Sequence, residues 1–562
     1  MRLITTPGGR ILFKDLSGVR TCSLIEAPDD KIIPAGDDME IGRFNRDFHR
    51  VFNPTSIAVV GASRSIGKWG FTIPMNIIGS GFRGKLVMVN PRESGILGLP
   101  TYGSLSDVPG PVDLAIVTIP AKKVLGVVHE AAAKGVKNLL VVASNFSEVG
   151  GEGAELEREM ARAANEAGIT IIGPNTMGIY SATSSLAALG TFVFPLKGQV
   201  GFVSQSGNLG VQLLDWGRDR GVGFSRFVGS GNEANTSVTE YLEYLGADQE
   251  TDVIALYIEG IEDGNRFLDV ARKVTPTKPV IVLKGGRGEQ GSRAALSHSG
   301  SLAGVNELFE GMFEQAGIVT AETSEQFIDL VTAFTSLPVP RGGRVAVVTV
   351  GGGWGVVAAD ASDREGVKLA TMSDSVIAEL DTFLPKYWSH GNPVDLVGGL
   401  RRSSHFRAID VVTRSEDVDM VIIMGAMLGR EFFTNNIFHT AVRPLYQMLT
   451  KNPRQLPAFI GSFWKGFSKS VSDRKVENLE GSVGLNPAEA WEWTDYALIR
   501  HLKGLISETG KPIIAVAMSE QQKGTSTRLE SHGILTTPTP ERAIYAAAKL
   551  AQYGAFVARS PG

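Results

Sequence analysis

Short, continuous apolar runs recur along the chain from about residue 51, and amphipathic stretches of helical length separate them. The first series consists of SIAVVG (56–61), KLVMVNP (85–91), DLAIVTIP (113–120), NLLVVAS (138–144) and ITIIG (169–173). Strands that are apolar along their whole length are buried on both faces, which is typical of a parallel sheet covered by helices. Residues 51–190 are therefore predicted to form a doubly wound, Rossmann-like α/β domain.

The same alternation restarts beyond residue 195. Its strands include QVGFVSQSG (199–207), VIALYIEG (253–260) and PVIVLKGG (279–286), and an apolar helix closes the unit. The pattern predicts a second α/β domain, of flavodoxin-like length, over residues 195–337.

A third α/β domain is predicted over residues 342–562, after the Pro/Gly-containing connection SLPVPRGG. Its strands begin with RVAVVTVGGGWG (344–355) and continue through VDMVIIMGA, LPAFIGSFW and PIIAVAM. The segment 428–510 is rich in aromatic residues and indicates inserted helices. Residues 1–50 are only weakly periodic and are expected to be an N-terminal extension.

Composition narrows the class of protein. The chain has 562 residues, 43% of them hydrophobic, which is too long for one ordinary core and fits about three domains. The net charge of −4 gives no sign of a basic stripe for nucleic acid. The single cysteine, Cys22, permits neither an internal disulfide nor a cysteine-based metal site. With no signal pattern and no apolar run near the about 20 residues of a membrane helix, a cytoplasmic protein without a bound metal or a membrane partner is expected.

A glycine-containing loop, GASRSIGKWG (61–70), follows the first strand and precedes a helix. Such a loop lets a helix N-terminus face a phosphate, although an ordinary tight turn is the alternative. A dinucleotide site would place an acidic residue at the end of the second strand, for the ribose hydroxyls. Asn90 and Arg92 stand there instead. An amide and a cation in place of the acidic residue disfavour NAD and are compatible with a ligand that carries a ribose 3′-phosphate, such as CoA.

Two further loops have the composition of anion sites. VSQSGNLG (203–210) and TVGGGWG (349–355) run from a strand through small residues into a helix, where an ordinary capped helix is the alternative. Trp354 is unusual in such a loop and either lines an acyl pocket or packs. The turn GPNTMG (173–178) presents an Asn amide.

One histidine stands out. His298 lies in RAALSHSGSLAG (293–304), among serines and glycines and just before a helix expected from near Ser301. A phosphoryl group on its imidazole would meet backbone N–H donors there, whereas a solvated or structural histidine is the alternative. Glu233 and Glu259 follow strands, and either could orient the far nitrogen of His298 or simply cap a helix.

This series of motifs resembles, in composition and order, the α subunit of the ADP-forming acetyl-CoA synthetases in the succinyl-CoA synthetase superfamily. The resemblance covers about residues 51–425 and resumes over 511–552. It implies a Rossmann-like CoA-binding domain followed by two flavodoxin-like domains of the succinyl-CoA synthetase type, all with parallel sheets.

The resemblance also implies residue roles. Residues at the positions that hold CoA in the family are Gly61, Ser63, Asn90, Pro91, Arg92, Pro120 and Asn175. Residues that match the loops for phosphate and the acyl group are Ser204, Ser206, Gly207, Asn208, Gly351, Gly352, Gly353 and Asn392. His298 matches the phosphorylated histidine, Glu259 the glutamate that orients it, and Glu233 is a second candidate. Thr176 stands where the family often has Cys, which argues against a thiol at this point.

The implied reaction interconverts acyl-CoA, ADP and phosphate with a carboxylic acid, ATP and CoA, through an acyl phosphate and a phosphohistidine. The chain offers no room for an ATP-grasp domain, so ADP/ATP with Mg²⁺ is expected on a separate β subunit, in a hetero-oligomer or a dimer. The rival hypotheses are a nucleotide-independent CoA-transfer enzyme, a non-catalytic acyl-CoA sensor and a nicotinamide oxidoreductase. The aromatic side chains Phe463, Trp464, Phe467, Trp491 and Trp493 would line an acyl pocket or form a partner interface.

Overall fold

The computed structural model describes residues 2–5, 11–14, 47–291, 306–397, 402–425, 487–517 and 523–560. Residues 1–46 form one compact unit and residues 47–562 another. In the first unit, β1 (Arg2–Thr5) and β2 (Ile11–Lys14) pair antiparallel. This pairing was not predicted from the weak periodicity of the N-terminal segment.

The first large sheet has seven strands, in the order β5-β6-β4-β3-β7-β8-β9. They are β3 (Ser56–Val60), β4 (Lys85–Val89), β5 (Gly95–Ile96), β6 (Leu99–Tyr102), β7 (Leu114–Val117), β8 (Asn138–Val141) and β9 (Thr170–Ile172). All neighbours are parallel except β5 and β6. The strand order reverses between β3 and β7, which confirms the Rossmann-like prediction and places a ligand crevice at their carboxyl ends.

Helices cover both faces of this sheet, as continuous burial of its strands requires. They are α1 (Phe48–Phe52), α2 (Trp69–Gly79), α3 (Val124–Lys134) and α4 (Gly151–Glu166). The helix α3 ends where Gly135 adopts a left-handed conformation with φ of 80°, which a residue without Cβ accepts without strain.

The second sheet also has seven strands, in the order β11-β10-β13-β12-β14-β15-β16. They are β10 (Gly178–Ser181), β11 (Leu186–Leu189), β12 (Leu196–Ser204), β13 (Gly223–Gly229), β14 (Val253–Ile258), β15 (Val280–Lys284) and β16 (Val319–Ala321). The five parallel strands have the flavodoxin order, which confirms the predicted fold class. The antiparallel hairpin β10–β11 extends the β13 edge and was not predicted.

The helices described in this second domain are α5 (Gly207–Asp219), α6 (Val238–Ala247), α7 (Gly264–Val274), α8 (Asn306–Gln315) and α9 (Ser324–Ser336). Three of them, α6, α7 and α9, begin with side-chain caps. Capping boxes start α6, between Ser237 and Glu240, and α9, between Thr323 and Gln326.

The third sheet has the order β18-β17-β20-β21-β22, with β19 also paired to β17, and every pairing is parallel. Its strands are β17 (Arg344–Thr349), β18 (Lys368–Leu369), β19 (Val394–Asp395), β20 (Met420–Met424), β21 (Ile513–Val516) and β22 (Thr536–Thr537). Its helices are α10 (Gly352–Glu365), α11 (Asp374–Asp381), α12 (Arg402–Arg414), α13 (Pro487–Thr509), α14 (Lys523–Ser531) and α15 (Pro540–Arg559). The predicted strand 456–464 lies outside the described residues.

The second and third domains share one apolar core. The last helix, α15, packs on α9 of the second domain as well as on α10 of its own. Between them the rings of Phe334 and Tyr553 meet edge to face, with centroids 5.4 Å apart. Across the parts of the chain that the structure describes, no helix is long and apolar enough to cross a lipid bilayer.

Candidate functional site

The glycine loop after β3 is built by close contact between backbones. Gly61 has a φ of 89°, and its N–H donates to the carbonyl of Val89 at 2.9 Å. A Cβ on Gly61 would lie 2.6 Å from Cγ2 of Ile119, and a Cβ on Gly70 would lie 2.2 Å from the carbonyl oxygen of Gly61. The start of α2 therefore touches the loop directly.

Asn90 fastens this loop to the end of β4. Its Nδ2 donates to the carbonyl of Ala62 at 2.8 Å, and its Oδ1 accepts from the N–H of Arg92 at 2.8 Å. In this arrangement Asn90 positions the glycine loop. Pro91 and Arg92 are exposed, so the guanidinium beside the loop is accessible to a phosphate.

The Ser63 side chain lies inside the loop itself. Its Oγ accepts from the N–H of Ser65 at 3.1 Å, and its own N–H donates to the carbonyl of Gly70 at 2.9 Å. Ser63 therefore holds the turn that brings α2 to the crevice.

Pro120 lies on the wall of a cavity of about 710 Å³ between the end of β7 and the start of α4. Lys122 and Lys123 line the same cavity together with Asn145. Lys122 pairs with Glu152 at 2.8 Å, and both side chains are exposed. We had not singled out these lysines, although two lysines directly after a strand end are a signal for an anion.

The turn that carries Asn175 joins the first two domains. Asn175 has a φ of 58°, and its Nδ2 donates to Oδ1 of Asn232 at 3.3 Å. Asn232 in turn donates to Glu148 at 2.7 Å and to Glu157 at 2.8 Å. The segment around Asn232 therefore holds the predicted CoA side of the crevice against the second sheet.

Thr176, at the position where the resembling family often has Cys, is buried. Its hydroxyl donates to the carbonyl of Gly229 and accepts from the N–H of Gly178 at 3.0 Å. These bonds satisfy the hydroxyl inside the protein, so Thr176 has a structural role at this point.

The loop between β12 and α5 contains the predicted phosphate-binding residues. The Oγ of Ser204 donates to the carbonyl of Ser206 at 2.7 Å, and Ser206 is the residue before the first turn of α5. A Cβ on Gly207 would lie 2.6 Å from Cγ of Met177, whereas Asn208 is exposed. Ser204 thus shapes the loop, and the helix N-terminus behind it is the feature that suits an anion.

Glu233 is a partly buried carboxyl with several donors around it. It accepts from Oγ of Ser230 at 2.7 Å, from the N–H of Val238 at 3.1 Å and from the side chain of Gln205. Burial nevertheless raises the pKa of Glu233 to about 7, because these donors only partly offset the loss of water and Glu240 adds like charge. Glu233 can therefore hold a proton near neutral pH.

Glu259 follows β14 at the same edge of the sheet. Its Oε1 accepts from the hydroxyl of Tyr257 at 3.3 Å, and burial together with this carboxylate raises the pKa of Tyr257. Its backbone N–H donates to Oε1 of Gln205, which also accepts from Gly260 at 3.1 Å. Gln205 thus contacts both predicted glutamates, and sequence reasoning had not singled it out.

Lys284 is a second residue that sequence reasoning missed. This buried lysine ends β15 and donates to the carbonyls of Glu259, at 2.9 Å, and Gly285. Its ammonium lies 4.7 Å from the ring centre of Phe309, and burial lowers its pKa. Lys284 therefore joins the ends of two strands immediately before the segment that carries His298. His298 itself lies outside the described residues.

In the third domain the glycine loop precedes α10. Gly351 is the residue before the helix, a Cβ on Gly352 would lie 2.8 Å from Oδ2 of Asp395, and Gly353 faces open space. Trp354 is exposed beside them. The loop thus leaves room for a ligand in front of the helix N-terminus.

The side chain of Asn392 is directed toward the sheet. Its Oδ1 accepts from the N–H of Val347 at 2.9 Å, and its Nδ2 donates to the carbonyls of Val345, at 2.8 Å, and Ala370, at 3.0 Å. In this arrangement Asn392 supports β17. The aromatic side chains predicted to line an acyl pocket, at positions 463, 464, 467, 491 and 493, lie outside the side chains that the structure describes.

Sequence models of three protein families match the chain in the order of its three sheets. They are described as a CoA binding domain over residues 55–182, a succinyl-CoA ligase like flavodoxin domain over 197–334 and a ligase-CoA domain over 345–427. A CoA-binding domain followed by two CoA-ligase domains defines the class of CoA ligases.

Individual relatives narrow this class. The chain is 42% identical to the acetate–CoA ligase [ADP-forming] II subunit alpha of Pyrococcus furiosus, over 66% of this chain and 80% of that one. It is 41% identical to the acetate–CoA ligase [ADP-forming] I of Archaeoglobus fulgidus, of which it spans 54%. A solved structure, the dinucleotide forming acetyl-coenzyme A synthetase 1 of Ca. Korarchaeum cryptofilum in complex with phosphate and ADP, matches with a TM-score of 0.74 at 31% identity, covering 92% of this chain and 99% of that one.

The chain therefore belongs to the family of ADP-forming acyl-CoA synthetases, which are acid–thiol ligases. This confirms the resemblance and the enzyme class predicted from the motifs. The comparisons do not favour a non-catalytic sensor or a nucleotide-independent CoA-transfer enzyme, since the relatives are named as ADP-forming ligases.

Proposed function

We propose that this chain is the CoA-binding, phosphohistidine-carrying subunit of an NDP-forming acyl-CoA synthetase. The observation that carries the proposal is that the Ser204–Asn208 loop meets both the turn after Asn175, where Gly207 packs on Met177, and Glu259, whose backbone N–H donates to Gln205. In the sequence, the segment that holds His298 follows Lys284. This chemistry needs a site for CoA, a loop that binds an anion and a carboxylate that can orient an imidazole.

The crevice of the first domain fits CoA. Gly61 and Gly70 let α2 begin directly against the glycine loop, and Arg92, Lys122 and Lys123 are exposed cations for the phosphates of CoA. An amide rather than a carboxylate, on Asn90, follows β4, where a dinucleotide site would have the acidic residue for its ribose hydroxyls.

The proposed chemistry has three reversible steps. Inorganic phosphate displaces CoA from acyl-CoA, and the phosphate proton passes to the thiolate. The imidazole of His298 then takes the phosphoryl group from the acyl phosphate and releases the carboxylate. Finally the phosphohistidine passes its phosphoryl group to ADP. Transfer of this kind depends mainly on positioning and charge neutralisation, which the loop before α5 and Glu259 would supply.

We propose that ADP/ATP and Mg²⁺ bind to an ATP-grasp domain on a separate β subunit in the cytoplasm. The support is that the Pyrococcus furiosus relative, four-fifths of which this chain matches, is named as a subunit alpha.

The test uses the purified chain, a panel of acyl-CoA thioesters and radiolabelled phosphate, first alone and then with the candidate β subunit. We expect label on the protein that is labile in acid and stable in base, and none on His298→Ala. The acyl-CoA that labels best would identify the substrate class. Wild-type protein that stays unlabelled in both arms would overturn the proposal.

A further inference from the structure

Gln205 is placed between the two carboxylates that follow β13 and β14. We infer that Gln205 is a positioning residue for the proposed histidine phosphorylation, which acts by fixing the backbone that carries Glu259. The inference rests on the proposed function and adds to it a residue that neither the motifs nor the comparisons identify.

The amide of Gln205 is bonded at the end of β14. Its Oε1 accepts from the N–H groups of Glu259 and of Gly260, the latter at 3.1 Å. Its Nε2 donates to the carbonyl of Gly260 at 2.9 Å, and its backbone N–H donates to the carbonyl of Tyr257 at 3.1 Å. Four bonds from one residue thus hold the backbone where Glu259 leaves the sheet.

The same amide reaches Glu233. The Gln205 side chain favours the carboxylate form of Glu233, against the larger effect of burial on the pKa of Glu233. The Gln205 amide donates through Nε2 to the carbonyl of Gly260 and accepts through Oε1 from two backbone N–H groups. The polarity of the amide is therefore specified in both directions.

The side chain of Glu259 is held by contacts of its own, separate from those of its backbone. Oε1 accepts from the hydroxyl of Tyr257 at 3.3 Å, and a Cβ on Gly285 would lie 2.6 Å from that hydroxyl and 3.5 Å from Cγ of Glu259. With the side chain confined by Tyr257 and Gly285, the remaining freedom is that of the backbone, which Gln205 removes. A misplacement of about 1 Å at a reacting group can cost about a hundredfold in rate.

The alternative is that Gln205 only stabilises the fold. Such a role predicts that substitutions lower the unfolding midpoint and CoA binding together with the reaction. A positioning role predicts that the rate falls while the half-saturating concentration of acyl-CoA stays the same, because CoA is bound by the first domain.

The critical variant is Gln205→Glu, which keeps the shape of the side chain and its bonds to the two N–H groups. It replaces the amide nitrogen, on the side of the Gly260 carbonyl and Glu233, by a carboxylate oxygen. Gln199→Glu is the matched control. Gln199 lies at the other end of the same strand, β12, and its Nε2 donates to the carboxylate of Asp252, so the control creates the same local repulsion away from the crevice. Gln205→Met, similar in length and apolar, is a second variant that adds no charge.

The measurement is the initial rate of His298 labelling from acyl-CoA and radiolabelled phosphate, with the β subunit present if the wild type requires it. We expect Gln205→Glu and Gln205→Met to lose about a hundredfold in maximal rate at an unchanged half-saturating acyl-CoA concentration, and Gln199→Glu to keep the wild-type rate. Wild-type rates in both Gln205 variants would overturn the inference. The inference would also be overturned if both variants lost CoA binding and unfolded at a lower midpoint, because that result is expected of a purely structural role.

The wild-type protein separates the two proposals. Unlabelled wild type overturns the proposed function, whereas labelled wild type with unaffected Gln205 variants overturns only the role of Gln205.

Discussion

The glycines of the first crevice have two distinct reasons to be glycine. Gly61 combines a φ of 89° with close approach to Ile119, so both its conformation and its surroundings exclude a side chain. Gly70 is excluded by contact alone, because a Cβ would lie 2.2 Å from the carbonyl oxygen of Gly61. Backbone atoms cannot rotate away as the end of a side chain can, so this contact fixes the distance between α2 and the loop.

This contact predicts opposite effects of one substitution at two helical glycines of the same domain. Gly70→Ala should lower the free energy of unfolding by about 1–3 kcal/mol, since the methyl group forces α2 off the loop. Gly126→Ala, in α3, meets no atom within 4 Å and should raise it by up to about 1 kcal/mol through helix propensity. Denaturant unfolding of both variants is the check, and equal stability of Gly70→Ala and wild type would contradict the geometry.

Glu233 predicts a dependence of stability on pH. Its pKa in the folded protein is raised to about 7 by burial, so folding favours the protonated form. Its stabilising contribution is therefore complete at pH values below its ordinary pKa and is lost as pH rises through about 7. Glu233→Gln is neutral at every pH. Its free energy of unfolding, relative to that of wild type, should therefore rise by about 1–3 kcal/mol between pH 5 and pH 8. Unfolding free energies at the two values measure this gain, and parallel profiles would refute it.

At the scale of elements, four helices from two domains converge on a cluster of buried charges. Arg220, just after α5, lies 3.3 Å from Asp329 of α9 and also pairs with Glu530 of α14. Arg542 of α15 holds Asp329 with two bonds, at 2.7 and 2.9 Å. Burial raises the pKa of Glu530 to about 7 and also raises that of Asp329, although both guanidiniums oppose the shift.

We expect this cluster to be sensitive to the loss of one partner. Arg542→Met should lower the free energy of unfolding by about 3–5 kcal/mol, because it removes the guanidinium that makes two bonds to the buried Asp329 and leaves this carboxylate with Arg220, which it shares with Glu530. The control is Arg50→Met, which removes an exposed guanidinium 3.0 Å from the exposed carboxylate of Asp47. An exposed pair contributes at most about 1 kcal/mol, so the control should stay near wild type. Equal losses in the two variants would mean that the cluster is not effectively buried.

At the scale of the whole molecule, the CoA crevice and the ligase sheets are not independent bodies. Within residues 47–562, Ile57 and Ile77 of the first domain share a core with Val203 and Tyr241 of the second. A ligand that binds the first domain should therefore stabilise more than that domain.

CoA should raise the unfolding temperature of the protein, by an amount that corresponds to about 2.7 kcal/mol at a hundred times its dissociation constant. NADH at the same concentration should leave the unfolding temperature unchanged, because Asn90 and Arg92 replace the acidic residue that a dinucleotide requires. Thermal unfolding with each ligand is the measurement. A shift with NADH and none with CoA would reverse the assignment of the first domain.

The strands that the sequence predicted are those whose own residues carry the signal. All five residues of β3 and of β20 are buried, and such runs can be recognised without knowing their partners. The hairpin β10–β11 and the two-residue strands β18, β19 and β22 were not predicted. Strands this short have too few residues to show an alternating pattern, and they form because a neighbouring strand pairs with them. The bounds of the three domains remain a prediction.

The candidate site divides in the same way. Glycine loops and the SHSG segment could be read from local composition, and the roles of their residues remain predictions. Gln205 lies inside the VSQSGNLG loop but was not singled out, because the composition of a loop does not reveal which neighbouring strand its amide reaches. Lys284 was missed because a lysine at the end of a strand has no distinctive pattern. Asn90 and Asn392 were predicted as ligand-binding residues, whereas the hydrogen bonds of their amides go to the protein backbone.

The sequence by itself determined the α/β class, the series of parallel sheets and the family, because burial of strands and the composition of glycine loops are local properties of the chain. Only the tertiary structure decided which loop ends meet. Gln205 reaches Glu259 and Glu233 because β12 lies between β13 and β14 in the sheet, an order that follows from right-handed crossovers and packing across the whole domain. Contacts between distant residues depend on that packing, and no local pattern of residues encodes them.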